Sequence, residues 1–213
     1  MLTALVAVRR LPPTATIPIS TRAAAVPPTE AGARPGQVWS LVDALHGLLL
    51  PSGNDIAYAI AERVAGSVEA FGTPMQAVST ELGLSTASTW RDPAGFDNAA
   101  DGAVGGGNWS TARDLARLGR AVLDDPLLAR IVTTRTYTYS GPYGAPHTVS
   151  SSNQLLTTDP SAFGVKTGTT NAAGQCLVAA TSRGGRQVVS VVLGASNRYA
   201  ATTALLGQTP APA

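Results

Sequence analysis

The feature that most restricts the fold of this chain is a tight turn near its C-terminal end. Arg183-Gly184-Gly185-Arg186 joins two apolar, β-rich runs, Cys176 to Ser182 and Val188 to Leu193. A connection that short reverses the chain, so the two runs must pair as antiparallel strands. A third extended run precedes them, Gly164-Val165-Lys166-Thr167-Gly168-Thr169-Thr170. Its β-branched residues favour a pleated backbone. Upstream the pattern is helical, and a final helix is expected over Ala200 to Leu206. Helices, then an antiparallel sheet, then a helix make an α+β fold.

The N-terminal half divides at its caps and breakers. Met1 to Val8 reads as a buried helix, apolar nearly all round, ending before Pro12-Pro13. Thr14 to Val38 reads as loop with one or two short strands. Ser40 opens the next helix with Asp43 at the capping-box position, and Leu41, Val42, Leu45, Leu48 and Leu49 form its apolar face. Pro51 stops that helix, Gly53 lets the chain turn, and Asn54 or Asp55 is positioned to cap the next one. That helix covers Ile56 to Val64 and closes at Gly66. Ser67 to Leu82 is a second helical stretch, kinked or restarted at Gly72-Thr73-Pro74. Leu84 to Trp109 is a long polar loop. Ser110 or Thr111 caps a helix running to about Asp124, and Pro126 to Val132 is another. Thr136 to Tyr139 and Thr148 to Ser151 flank a Gly/Pro turn and read as a hairpin.

Composition excludes several functions. The 213 residues carry 44% hydrophobic and only 13% charged side chains, with a net charge of +2. That suits one secreted domain with many loops, spanning 1–207 and followed by a disordered tail, 208–213. No arginine cluster marks a nucleic-acid face. His46 and His147 have no metal-spaced partners, so neither a metal nor a cofactor is expected. Asp124-Asp125 before Pro126 reads as a helix-end turn, and Gly105-Gly106-Gly107 lacks the Lys-Ser/Thr of a phosphate loop. The single cysteine, Cys176, allows no internal disulfide and reads as a buried small side chain. No run reaches transmembrane length, so membrane attachment is not evident. No signal peptide is visible either.

Two short motifs carry the chemistry. Lys166 is the sole lysine, the other 14 basic residues being arginines. A cation on an extended strand suits a peptide that carries a carboxylate, and Gly168 lets a ligand or another backbone approach closely. About 110 residues upstream, Ser52-Gly53-Asn54 sits on a tight loop between two helices. Ser-x-Asn and Lys-Thr-Gly are two of the three motifs shared by penicillin-binding proteins and β-lactamases. Four longer stretches follow in order: LLLPSGNDIAYAIA (Leu48 to Ala61), STARDLARL (Ser110 to Leu118), NQLL (Asn153 to Leu156) and GVKTGTTNAAGQCL (Gly164 to Leu177). Together they resemble the serine-type D-alanyl-D-alanine carboxypeptidases, the low-molecular-weight penicillin-binding proteins, over roughly Met1 to Leu206.

That resemblance implies an antiparallel sheet flanked by helices, with a mostly helical lobe beside it, as in β-lactamases and DD-peptidases. It implies an extracytoplasmic enzyme that trims peptidoglycan stem peptides through an acyl-enzyme and is acylated by β-lactams. It assigns a proton relay to Ser52 and positioning of base and substrate amide to Asn54. Lys166 and Thr167 would hold the terminal carboxylate, beside Gly168, and the backbone N–H of Thr169 would be an oxyanion-hole donor. The family's third motif, Ser-x-x-Lys, is not present, because Phe163 stands three residues before the only lysine. In the family that lysine is followed by an apolar helix much like Met1-Leu2-Thr3-Ala4-Leu5-Val6. The expectation is therefore that the chain begins just after the catalytic pair, with Met1 beside Ser52 and Asn54, and that the sheet is left with an unpaired edge. As written the chain would be inactive, a fragment or a homologue that only binds. A β-lactamase would need a base for the deacylating water, and no matching glutamate loop is present. An α/β-hydrolase would need Gly-x-Ser-x-Gly, which does not occur.

Overall fold

The computed structural model describes residues 1–26, 29–140 and 146–208. The expected turn of the hairpin, 141–145, and the tail from 209 onward lie outside the described residues.

Helix α1 (Leu2–Arg10) buries every residue from Leu2 to Ala7, as its all-round apolar sequence requires. Strand β1 (Thr16–Pro18) pairs antiparallel with β2 (Val38–Ser40), Ile17 lying opposite Trp39. Between them is a helical turn that sequence reading missed, α2 (Thr21–Ala24), whose N-cap Ser20 accepts a hydrogen bond from Ala23 N–H at 2.9 Å. Four residues are too few to show a helical period, so only the cap announces it. Helix α3 (Leu41–Leu49) starts as expected: Ser40 Oγ accepts from Asp43 N–H at 3.0 Å and donates to the Asp43 carboxylate at 2.6 Å. Helix α4 (Asn54–Ala65) ends at Gly66, whose φ of 79° only glycine adopts cheaply. A 3-10 turn (Glu69–Phe71) leads into α5 (Gly72–Glu81), with Pro74 in its first turn. Helix α1 packs against α3, α4 and α5, which gives the helical lobe its core.

Helix α6 (Ala112–Asp124) is capped by Thr111 rather than Ser110, and Asp125 caps α7 (Pro126–Thr133) by accepting from Leu127 and Leu128 N–H. Asp124 pairs with Arg120 at 2.8 Å. The two acids are thus a cap and a surface pair. Strands β3 (Thr136–Ser140) and β4 (Pro146–Ser150) form the expected hairpin ladder. After α8 (Leu155–Thr158), the main sheet consists of β5 (Ala162–Thr170), β6 (Gly174–Arg183) and β7 (Arg186–Ala195), antiparallel in that order. Arg183 faces Arg186 across the tight turn. Helix α9 (Arg198–Gly207) closes the chain. Val178, Ala180, Val189 and Val191 join Leu118 and Val122 of α6 in the main core. Leu177 and Ala179 cluster instead with Leu155 of α8 and Tyr199 of α9. Neighbours along a strand point to opposite faces, so helices cover the sheet on both sides. Among the described residues, β5 and β7 are the sheet's two edges.

One expectation fails here. Cys176 is not a buried core residue but a half-buried free thiol, its Sγ 3.4 Å from the Ala173 carbonyl. It lies opposite Gly168, toward the turn end of β6, where the sheet runs out of cover. His46 is packed: it is 7% exposed, stacks on Tyr137 at 3.5 Å, and its Nδ1 bonds the Val42 carbonyl at 2.8 Å. Burial lowers its pKa below the ordinary imidazole value.

Candidate active site

The loop between α3 and α4 is built differently from its sequence expectation. The left-handed residue is Ser52, at φ 70°, whereas Gly53 has φ −62°. A serine held there is strained, a condition that clusters at functional sites. Gly53 is needed for space. A Cβ on it would lie 2.6 Å from the Asp55 carboxylate, 2.8 Å from the Gly47 carbonyl and 2.9 Å from Ala31 Cβ. The expected cap is also corrected: Gly53 is the N-cap of α4, with no side-chain cap bond. The Asp55 carboxylate is 1% exposed and accepts from Ala31, Ala33 and its own neighbour Ile56, all at 2.8–3.0 Å. It is spent on holding the 31–33 segment against α4. Beside it, Asn54 N–H donates to the Thr29 carbonyl at 2.8 Å. Asn54 is 8% exposed.

Strand β5 is tied to this loop through residues that sequence reading left without a role. Ser152 N–H donates to the Leu50 carbonyl at 3.0 Å, and Ser152 Oγ lies 2.6 Å from Thr167 Oγ1. The buried Asn153 amide donates to the Gly164 carbonyl at 3.0 Å. These bonds set the height of Lys166 and Thr167 relative to Ser52.

A cavity of about 600 Å³ lies between the two motifs. Ser52 and Asn54 line it from the loop, and Lys166, Thr167, Gly168 and Thr169 from the outer edge of β5. Met1 is at its floor with them, as expected for a helix that starts at the site and runs into the core. The far wall is residues 94–97. That wall is shaped by the fully buried Asp92, which accepts from Ala94, Gly95, Phe96 and Val104 N–H. Burial raises the Asp92 pKa, while the four N–H groups pull it back down.

Lys166 brings a cation to the cavity. The Lys166 ammonium donates to the Thr167 carbonyl at 2.9 Å. Its pKa falls from 10.5 to about 8, first through burial and then through Arg198. The α-amino group of Met1 is pulled from 8.0 to about 5, again by burial first and then by Lys166. Arg198, at the start of α9, was missed in the sequence because the closing helix was expected to begin at Ala200. Its guanidinium donates to the Gly168 carbonyl at 2.9 Å, to the Cys176 carbonyl at 3.0 Å, and to Thr169 Oγ1. Two cations thus flank one short stretch of strand edge. Such an edge, with open backbone groups, suits an extended ligand ending in a carboxylate.

Gly168 has no atom within 4 Å of a Cβ built on it. Gly168→Ala is therefore expected to leave thermal stability nearly unchanged. Its methyl would occupy space that a ligand needs, so peptide affinity should drop by tenfold or more, an overpacking cost of about 1–3 kcal/mol. Equal affinity in a titration would show that no ligand passes over Gly168.

With that geometry in place, comparison with known proteins is direct. Residues 1–197 match the family described as D-alanyl-D-alanine carboxypeptidase. The chain belongs to that family. It is 34% identical over 164 residues to a D-alanyl-D-alanine carboxypeptidase of Streptomyces sp., covering 72% of this chain and 54% of the relative. It is 37% identical over 164 residues to the carboxypeptidase DacC of Escherichia coli, covering 76% and 38%. The chain thus spans from about a third to about half of the length of these relatives. Among solved structures, a Streptomyces DD-transpeptidase superposes with a TM-score of 0.84 at 29% identity, covering 97% of this chain and 83% of the other. A penicillin-binding protein homolog from Mycobacterium tuberculosis gives 0.82 at 32% identity, covering 90% and 70%. The α+β, DD-peptidase-like fold expected from the sequence is the fold observed.

Proposed function

We propose that this chain carries the substrate-binding and proton-relay half of a serine-type D-alanyl-D-alanine carboxypeptidase site, acting on peptidoglycan stem peptides outside the cytoplasm. The observation that carries this reading is the single cavity into which one loop brings Ser52 and Asn54 and one strand edge brings Lys166 to Thr169. Lys166, Thr167 and Arg198 hold the terminal carboxylate by charge-assisted hydrogen bonds. The Thr169 N–H donates to the oxyanion of the scissile carbonyl. Ser52 passes a proton to the leaving D-alanine, and Asn54 orients the substrate amide. The activated serine of the acyl-enzyme step, the one that β-lactams acylate in this family, requires a Ser-x-x-Lys pair, and these 213 residues contain none.

A second reading is a domain that binds D-alanyl-D-alanine ends without turnover. Both readings require the carboxylate site. Calorimetric titration with an N-acylated peptide ending in D-alanyl-D-alanine, and with its C-terminal amide, tests it. The acid is expected to bind at least tenfold more tightly than the amide, the worth of a charged hydrogen bond, about 1.5–3 kcal/mol. Equal binding of the two would remove the basis of both readings. Labelled penicillin, incubated with a chain extended at Met1 by a Ser-x-x-Lys helix turn, then separates them, since only the enzyme reading predicts a covalent adduct.

A further inference from the structure

The two edges of the main sheet face different surroundings. The outer edge of β5 lines the cleft. The outer edge of β7 has no strand partner among the described residues and forms the floor of a separate groove of about 460 Å³. Val188 to Val191 make that floor, with Ala116 of α6 on one side and Leu205 of α9 on the other. Since α6 and α9 cover opposite faces of the sheet, the groove straddles the strand edge and is open to a further strand. Natural edges are blunted by lysine, proline or inward-pointing charge. This one is not: Gln187 to Ala195 reads QVVSVVLGA, with neither a charge nor a proline. Val188, Val189, Val191 and Val192 are only half-buried, and Leu205 is 41% exposed.

The polar member of the floor points to the occupant. Ser190 is 6% exposed, and its Oγ has no hydrogen-bond partner among the described residues. It lies opposite Ala179 and therefore on the α9 face of the sheet. The buried hydroxyls of Thr181 and Thr202 are unpartnered as well, so the three do not satisfy one another. A buried orphan hydroxyl is costly, and the open side of β7 is where a partner for Ser190 can enter.

We propose that this edge is the contact surface for a second copy of the chain, two β7 strands pairing antiparallel about a twofold axis at Ser190. In this register each Ser190 stands opposite the other copy's Ser190 on the same face of the ladder, where two hydroxyls bond across the strands. Val189 then faces Val191, and Val188 faces Val192, as cross-strand pairs of β-branched residues. All five residues lie in the regular part of β7, before the register shift that follows Val192. Centring the axis on Val189 instead would set each Ser190 against Val188 and leave both hydroxyls unpaired. Arg186 is the strand's one charge. The two copies of it lie at opposite ends of the ladder, about 26 Å apart, so like charges do not meet. A twofold contact of this kind uses both open edges and closes at two copies.

The test uses the 213-residue chain. Sedimentation equilibrium is expected to show twice the chain mass of 21.6 kDa at high micromolar concentration, with the monomer returning on dilution. Val192→Lys sets a cation against Val188 of the other copy, twice per dimer, and should weaken association by at least about tenfold with an unchanged circular dichroism spectrum. Cross-linking in a Cys176→Ser background reads the register. Directly opposed residues have Cα atoms about 4.5–5.5 Å apart, within disulfide range. Ser190→Cys should therefore form an intermolecular disulfide on mild oxidation, and Val189→Cys should not. A mixture of Val188→Cys and Val192→Cys chains reads the same register if Ser190→Cys does not fold. A chain that stays monomeric, or that grows into open aggregates, would overturn the proposal. So would a dimer that cross-links through Val189→Cys, or a monomer whose edge captures an added strand peptide instead of its own copy.

Discussion

Replacing Asp55 with alanine is expected to cost about 3–5 kcal/mol of stability, the range for breaking a buried charged interaction by removing one partner. Its carboxylate is 1% exposed and accepts from the N–H groups of Ala31, Ala33 and Ile56. Alanine leaves those donors buried and unpaired, each carrying a penalty of about 1–3 kcal/mol before relaxation. Asp55→Asn should fall between, since its amide oxygen still accepts while its NH2 meets another N–H. The check is urea unfolding, where the midpoint should fall with little change in slope. An unchanged midpoint would mean that the 31–33 segment is held by packing alone. Peptide affinity should fall as well. Thr29 and Asn54, joined by a backbone hydrogen bond, both line the cavity next to this contact.

Lys166→Ala is expected to weaken binding of a D-alanyl-D-alanine peptide by about 1.5–3 kcal/mol, roughly ten- to 150-fold. The pH profile gives a sharper version of the same claim. The free protein's Lys166 titrates near 8, because burial and then Arg198 disfavour its ammonium. Affinity for a carboxylate ligand should therefore decline as pH rises above 8, well before the ordinary lysine value of 10.5. A bound carboxylate favours the ammonium, so the bound state should titrate later and take up a proton on binding between the two values. Stability has the opposite sign. Between 8 and 10.5 the unfolded chain holds a proton at this lysine that the folded chain has released, so this group's contribution to stability rises with pH there. Lys166→Arg should hold its charge and flatten the binding profile between pH 7 and 9. An affinity that stays level to pH 10 in the wild type would exclude Lys166 as the carboxylate cation.

Most of the elements and both motifs were legible in the sequence, the four-residue helices α2 and α8 being the exceptions. Periodicity and caps are local properties, read within one or two turns of chain. Ser40 with Asp43, Thr111, Gly66 and the Arg183–Arg186 turn therefore announced their structures directly. The four stretches around Ser52, Ser110, Asn153 and Lys166 carried the family resemblance for the same reason, as runs that keep their order and spacing. Everything that joins two distant segments depends on the folded chain. Asp55 looked like a cap because it stands near a helix start, but its partners lie more than 20 residues upstream. Gly53 looked like a turn residue, but its lack of a side chain serves the close approach of Gly47 and Ala31. Arg198 and Asp97 had no motif at all. A guanidinium that reaches Gly168 across 30 residues, and a carboxylate that reaches Ala172 across 75, are invisible until the chain is folded. Local free energy chooses helix, strand and cap from adjacent residues. The charges in a cleft are assembled by packing, and packing is decided by the whole chain at once.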